Sequence, residues 1–113
     1  MQIPVQISFR DMPVSDAVEA HCWAEAETLE RIDDRITACG IVVVESRQPA
    51  TGRIVFRVRI DLSVAGETIV VDREPPDQGT DDIRLAIHEA FLRAQHQLAA
   101  RPRSEYSPER AQR

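Results

Sequence analysis

From Gln2 to Arg10 the chain alternates. Ile3, Val5, Ile7 and Phe9 fall on one side, and Gln2, Gln6, Ser8 and Arg10 on the other. A period of two describes an extended strand with one buried face and describes no helix. Pro4 has no amide hydrogen, so this strand belongs at a sheet edge or has Pro4 close to its start. Asp11-Met-Pro-Val is a turn, and at Ser15 the period changes. Ser15 reads as an N-cap, with Asp16 and Glu19 in the first turn, where the helix dipole favours carboxylates. Val18, Cys22, Leu29, Ile32 and Ile36 recur on one arc, which predicts a helix from Asp16 to about Ile36 closed by Cys39-Gly40. Glu25 falls in the middle of that arc, and Trp23 lies well off it.

The rest of the chain repeats the same grammar. Ile41-Val-Val-Val is a continuous apolar run and reads as a central strand. After the Gln48–Gly52 loop, Arg53 to Val64 alternates: Ile54, Phe56, Val58, Ile60 and Leu62 point one way, and Arg53, Val55, Arg57, Arg59 and Asp61 the other. Ala65-Gly66 is a tight hairpin turn, and Glu67 to Arg73 returns as a fourth strand. Thr80 or Asp81 caps a second helix, with Ile83, Ile87, Ala90, Phe91, Ala94 and Leu98 as its core stripe and Pro102 as its stop. These elements predict an α+β fold: a two-layer β-α-β-β-β-α sandwich, with a four-stranded mixed sheet and both helices on one face. The helical crossover makes strands one and two parallel, and strands two to four form an antiparallel meander. The other sheet face is then left to solvent. One domain is expected over residues 1–102, with a disordered polar tail at 103–113.

The charge is distributed unevenly. The net value is −5. Residues 15–36 hold seven acids against Arg31 and Arg35, while residues 83–113 hold six arginines against three glutamates. The chain has no lysine, so every fixed positive charge is a guanidinium, the group suited to bidentate phosphate contacts. No apolar run approaches roughly 18 residues, and no signal-peptide pattern opens the chain, so a cytoplasmic location is expected. Cys22 and Cys39 are too few for a disulfide framework, and with His21 they lack ligand-pair spacing, so no metal or cofactor is expected. No hydrolase motif, phosphate-cradling glycine loop or nucleophile motif is present, and an enzyme is not expected.

What remains is a set of basic positions and a few apolar ones. Arg53, Arg57 and Arg59 line the open sheet face, with Arg10 and Arg73 near them; Arg84, His88, Arg93 and His96 lie on two flanks of the second helix, and Arg101 extends its positive end. Together these are candidate RNA-phosphate contacts, sequence-neutral and salt-sensitive. The competing reading is an ordinary surface on which Asp61, Glu45 or Asp72 neutralises the sheet arginines. Trp23 is a candidate protein contact. Leu85 and Leu92, seven apart on the outer face of the second helix, are candidates for a partner contact or weak self-association.

Several stretches carry a family resemblance: Phe9-Arg-Asp-Met, Ser15-Asp-Ala-Val-Glu, Leu29-Glu-Arg-Ile, Arg59-Ile-Asp-Leu, Val71-Asp-Arg-Glu-Pro-Pro and Ala86-Ile-His-Glu-Ala-Phe. Over roughly residues 1–100 the chain resembles the hibernation-promoting factor (protein Y, sigma-54 modulation) family in its short form. The resemblance implies a fold like a double-stranded-RNA-binding domain. It also implies binding to the small ribosomal subunit (16S rRNA) in the channel of messenger and transfer RNA, blocking translation and preserving idle ribosomes. No membrane or DNA partner is implied. The chain departs from the family pattern on helix one, where Glu19, Glu25 and Thr28 stand at positions that are commonly basic. It also has Gln95-His96 where relatives often carry paired arginines. A second reading follows from that departure: the family fold used as a protein–protein module without ribosome binding.

Overall fold

Residues 3–72 and 80–101 are described by the structure, a computed structural model. Strand β1 (Val5–Arg10) leads into helix α1 (Asp16–Ile32), followed by β2 (Ile36–Arg47), β3 (Ile54–Val64), β4 (Glu67–Asp72) and helix α2 (Ile83–Ala99). The sheet order is β1-β2-β3-β4, with β1 parallel to β2 and the other pairs antiparallel. This is the two-layer α+β arrangement predicted from the periods. The core is one cluster between the sheet and the helices. Ile41, Val43, Ile60, Leu62 and Val71 come from the strands, Cys22, Ala26 and Leu29 from α1, and Ile87, Phe91, Ala94 and Leu98 from α2. Residues 73–79 and 102–113, which include the expected tail, lie outside the described residues.

The caps hold two helix starts. Ser15 accepts a hydrogen bond from the Val18 N–H, as the sequence predicts. At α2 the N-cap is Asp82 rather than Thr80 or Asp81: Asp82 Oδ1 accepts from the Arg84 and Leu85 N–H groups. Thr80 acts one step earlier, accepting from the Asp82 N–H, and its backbone bridges to Phe56. At the β3–β4 turn, Ala65 and Gly66 both have positive φ, the conformation such a hairpin demands.

The predicted end of α1 is corrected. The helix stops at Ile32, and Ile36 opens β2, so Cys39-Gly40 lies inside a strand rather than past a helix. The cause is Asp33. Its carboxylate takes the Arg35 N–H at 3.0 Å and the Arg35 guanidinium at 2.8 and 2.6 Å, a local side-chain alternative to further helix. Ile32 is left half exposed, while Ile36 is buried from the strand side. A register shift between Ile36 and Ala38 lets Ile36 and Cys39, three residues apart, both face the core. At the start of β3 burial does not follow the alternation: Ile54 is exposed and Val55 is buried.

Arg35 does more than end α1. Its guanidinium also donates to the Leu98 and Arg101 carbonyls at 2.9 and 3.0 Å, closing the C-terminal end of α2. Both side chains of the Asp33–Arg35 pair are under a tenth exposed. Removing one partner of such a pair leaves a buried charge uncompensated. Arg35→Ala is therefore expected to cost about 3 kcal/mol in urea unfolding. Arg53→Ala removes an exposed pair with Asp81 and should cost less than about 1 kcal/mol. Equal losses would contradict this ranking.

The two cysteines are buried in the core cluster. Burial, reinforced by Glu19 and Glu25, pushes the Cys22 thiol up to about 12; burial, then Cys22 and Asp61, does the same for Cys39. Neither thiol should react with an aromatic disulfide reagent at pH 8 in the native state, and both should react in denaturant. Rapid native labelling of either would show that the core opens at that site. Because the folded thiols hold their protons above the unfolded value of 9.0, their contribution to stability is complete below pH 9 and is lost as pH rises towards 12.

Candidate nucleic-acid interface

With both helices on one side, the opposite face of the sheet is open, and strand register decides what stands on it. Three rows cross it: Arg10, Val44 and Arg57; Ser8, Val42, Arg59 and Asp72; and Gln6, Gly40, Asp61 and Val70. Arg10, Val42, Val44, Arg57, Arg59, Asp61 and Asp72 line a concavity of about 480 Å³. Adjacent strands lie ~4.8 Å apart, so Arg10 and Arg57 flank the β2 valines about 10 Å from each other. The Val42–Val44 floor was not anticipated as part of a site. Their apolar run signalled a central strand, but only the register shows that Val42 and Val44 face outwards while Val43 faces the core.

Two of the three arginines on this face are held rather than loose. Arg57 makes a forked pair with Asp72, Nε to Oδ1 at 3.1 Å and Nη2 to Oδ2 at 3.2 Å. Arg59 Nε donates to Asp61 Oδ1 at 3.2 Å along the same strand. Asp61 and Asp72 thus act as arginine partners here. Glu45 instead stands opposite Phe56 in the ladder. Arg10 has no ion pair among the described residues. Among the described lining residues, three guanidinium groups stand against two carboxylates.

The other predicted basic residues do not join this group. Arg53 sits at the β2–β3 end and reaches Asp81 at 3.4 Å. Arg84, His88, Arg93 and His96 belong to α2, on the far side of the sheet. Arg93 borders a small recess with Phe56, Val58, Thr80 and Glu89. Arg101 pairs with Glu67 at the opposite end of the molecule. Arg73, also predicted, lies outside the described residues.

His88 has a different partner from the one its position suggests. Its Nδ1 lies 3.0 Å from Glu25 Oε2 across the α1–α2 seam. That contact accounts for a glutamate in the middle of the α1 arc: Glu25 is four-fifths buried between His88 and His21, whose Nε2 is 3.6 Å away. No signal in the sequence pairs residues 63 positions apart. Trp23, on α1, and Leu85 and Leu92, on α2, are all partly exposed. Trp23 is two residues from Glu25, about 160° round the helix, and so turns away from α2. Among the described residues no group of three or more His, Cys, Asp or Glu side chains is placed to hold a metal.

Comparison with known proteins places this geometry in context. Residues 5–102 match the family described as sigma 54 modulation protein / S30EA ribosomal protein. The Protein Y N-terminal domain of Thermus thermophilus, a crystal structure, is 21% identical with a TM-score of 0.60; the match covers 87% of this chain and 96% of that one. A ribosomal subunit interface protein from Coxiella burnetii is 17% identical with a TM-score of 0.65, covering 86% and 94%. At these identities the likeness is one of fold. No curated protein matches the sequence.

Proposed function

The chain belongs to the sigma 54 modulation protein / S30EA ribosomal protein family, whose members are ribosome-associated factors and not enzymes, and from that membership we propose that it binds the small ribosomal subunit through its open sheet face. It acts there as a translational inhibitor and hibernation factor. It occupies the channel of messenger and transfer RNA, contacts 16S rRNA phosphates, and keeps idle ribosomes intact. The mechanism is occlusion without covalent chemistry. Membership of a ribosome-associated family supports a cytosolic location. No helix among the described residues is long and apolar enough to cross a membrane.

The observation that carries this reading is the gathering of Arg10, Arg57 and Arg59 around one concavity. Guanidinium groups are the phosphate-matching cations, and this face offers three of them. The acidic character of α1 does not oppose the contact. Its carboxylates lie a layer away, roughly 10 Å beyond the sheet. Screening at physiological salt acts over ~8 Å. A second reading keeps the fold and assigns it to protein contact. It is favoured by Trp23, exposed between Glu19 and Glu27 on the flank of α1 turned away from α2, and by exposed Leu85 and Leu92.

Co-sedimentation with purified small subunits separates the two. Saturable pelleting should weaken with salt, with three phosphate contacts giving a log–log slope of roughly −2 to −3. The Arg57→Glu, Arg59→Glu double variant should bind at least about tenfold more weakly. Unchanged affinity would remove the open face from the contact. Absence of pelleting at low salt would favour the protein module. In that case Leu85→Ser with Leu92→Ser should shift the monomer–dimer distribution in sedimentation velocity.

A further inference from the structure

The open face carries two carboxylates where a purely phosphate-binding surface would carry none. Asp61 and Asp72 line the same concavity as the three arginines, and their side chains are 43% and 26% exposed. A carboxylate facing a phosphate is repulsive. Each carboxylate oxygen has about two acceptor sites, and one guanidinium hydrogen bond at an oxygen uses one of them. Asp72 engages Arg57 once at each oxygen, and Asp61 engages Arg59 through Oδ1. The remaining acceptor capacity points to a ligand that presents donors beside its phosphates.

Size and lining narrow the ligand further. A recess of about 480 Å³ is on the scale of one bound small molecule or nucleotide. Its floor is Val42 and Val44, with Gly40 one step along the strand. A Cβ built at Gly40 would meet nothing closer than Asp61 Cβ at 3.9 Å, so no contact within the chain requires a glycine there. Glycine weakens a strand interior and often marks close approach by a ligand. A duplex already pairs its base donors. An unpaired strand offers base amino groups, and RNA adds 2′-hydroxyls, which DNA lacks.

We propose that this concavity seats an unpaired ribonucleotide, with Arg10, Arg57 and Arg59 on the phosphates, Asp61 and Asp72 accepting from the 2′-hydroxyl and base donors, and the β2 valines beneath. Asp72 and Asp61 thereby select single-stranded RNA over DNA while holding Arg57 and Arg59 in place. No aromatic ring stands on this face among the described residues, so the polar groups rather than stacking provide the selectivity. The assignment rests on the open face being the ribosome-binding surface, and it deepens that reading by naming what the face recognises.

The test uses the full chain and three fluorescent probes: a short mixed-sequence RNA, the DNA of the same sequence, and the RNA annealed to its complement. The single-stranded RNA should bind tightest. Asp61→Asn with Asp72→Asn should lower the RNA-to-DNA affinity ratio about tenfold, the loss expected for hydrogen bonds to charged acceptors. Arg10→Gln should weaken RNA and DNA alike, leave the ratio unchanged, and reduce the salt slope by about 0.7. A rise in both affinities with no change in ratio for the asparagine variant would make the carboxylates simple counter-charges and overturn the assignment. Equal binding of the duplex would overturn it as well. Small-subunit pelleting of the unmodified chain is measured alongside. Retained pelleting with an unchanged ratio defeats only the ribonucleotide assignment, whereas absent pelleting defeats the ribosome reading beneath it.

Discussion

The buried Asp33–Arg35 pair is the joint on which the architecture turns. It ends α1, starts β2 and closes the last carbonyls of α2 through one guanidinium. Desolvating two charges is costly, and the pair survives because its hydrogen bonds are nearly saturated. Its geometry has consequences at a distance. If α1 ran on to Ile36, β2 would start later and its alternation would have no fixed phase. With the helix broken at Ile32 and the bulge after Ile36, Cys39, Ile41 and Val43 face the helices. Gly40, Val42 and Val44 must then face the other way. The composition of the open face is set, in part, by a salt bridge at the far end of the molecule.

That face follows from an ordinary constraint with an uncommon filling. A two-layer fold covers only one side of its sheet, so the other side must be tolerable to water. Exposed strands commonly achieve this with mixed polar residues. Here β3 places two arginines there, β1 a third, and β2 leaves aliphatic residues between them. The Arg57–Asp72 fork limits the rotamers of a long side chain before any ligand arrives, which reduces the entropy that binding would otherwise cost. A lysine could not be held the same way, because its ammonium has no planar edge to match two oxygens. The absence of lysine from the whole chain suits a surface built on such forks.

Much of this was legible in the sequence because the periods are unambiguous. Ile7 and Phe9, Val58 and Ile60, Ile87 and Phe91 each sit on clean two- or 3.6-residue spacing, and the element order and both sheet orientations followed from them. Boundaries were harder. Ile36 fits the helical arc of Val18 and Leu29 as well as it fits a strand, and only the side-chain chemistry of Asp33 decides between them. The sequence points to Thr80 or Asp81 as the cap of the second helix, and only backbone geometry selects Asp82. The candidate site was legible in its arginines: alternation put Arg57 and Arg59 on one face with Arg10 near them, whereas a continuous apolar run does not say that Val42 and Val44 form the floor between Arg10 and Arg57. Arg84, Arg93 and His96 look like part of one basic set by composition, and the layer arrangement puts a sheet between them and the open-face arginines.

The chain's overall acidity and its basic face are compatible because they occupy different sides of the sheet. Net charge governs behaviour beyond a Debye length, ~8 Å at physiological salt, so the −5 of the whole chain acts at long range only. Within that length the nearest charges dominate, and on the open face those are Arg10, Arg57 and Arg59 together with Asp61 and Asp72. Glu19, Glu27 and Glu30 of α1 lie on the helical side, but so do Arg84 and Arg93 of α2, so that side is mixed in charge and the sheet separates both sets from the concavity. Contact with a phosphate chain is then decided on the open face itself, where Arg10 has no ion pair among the described residues while Arg57 and Arg59 each bring a carboxylate with them.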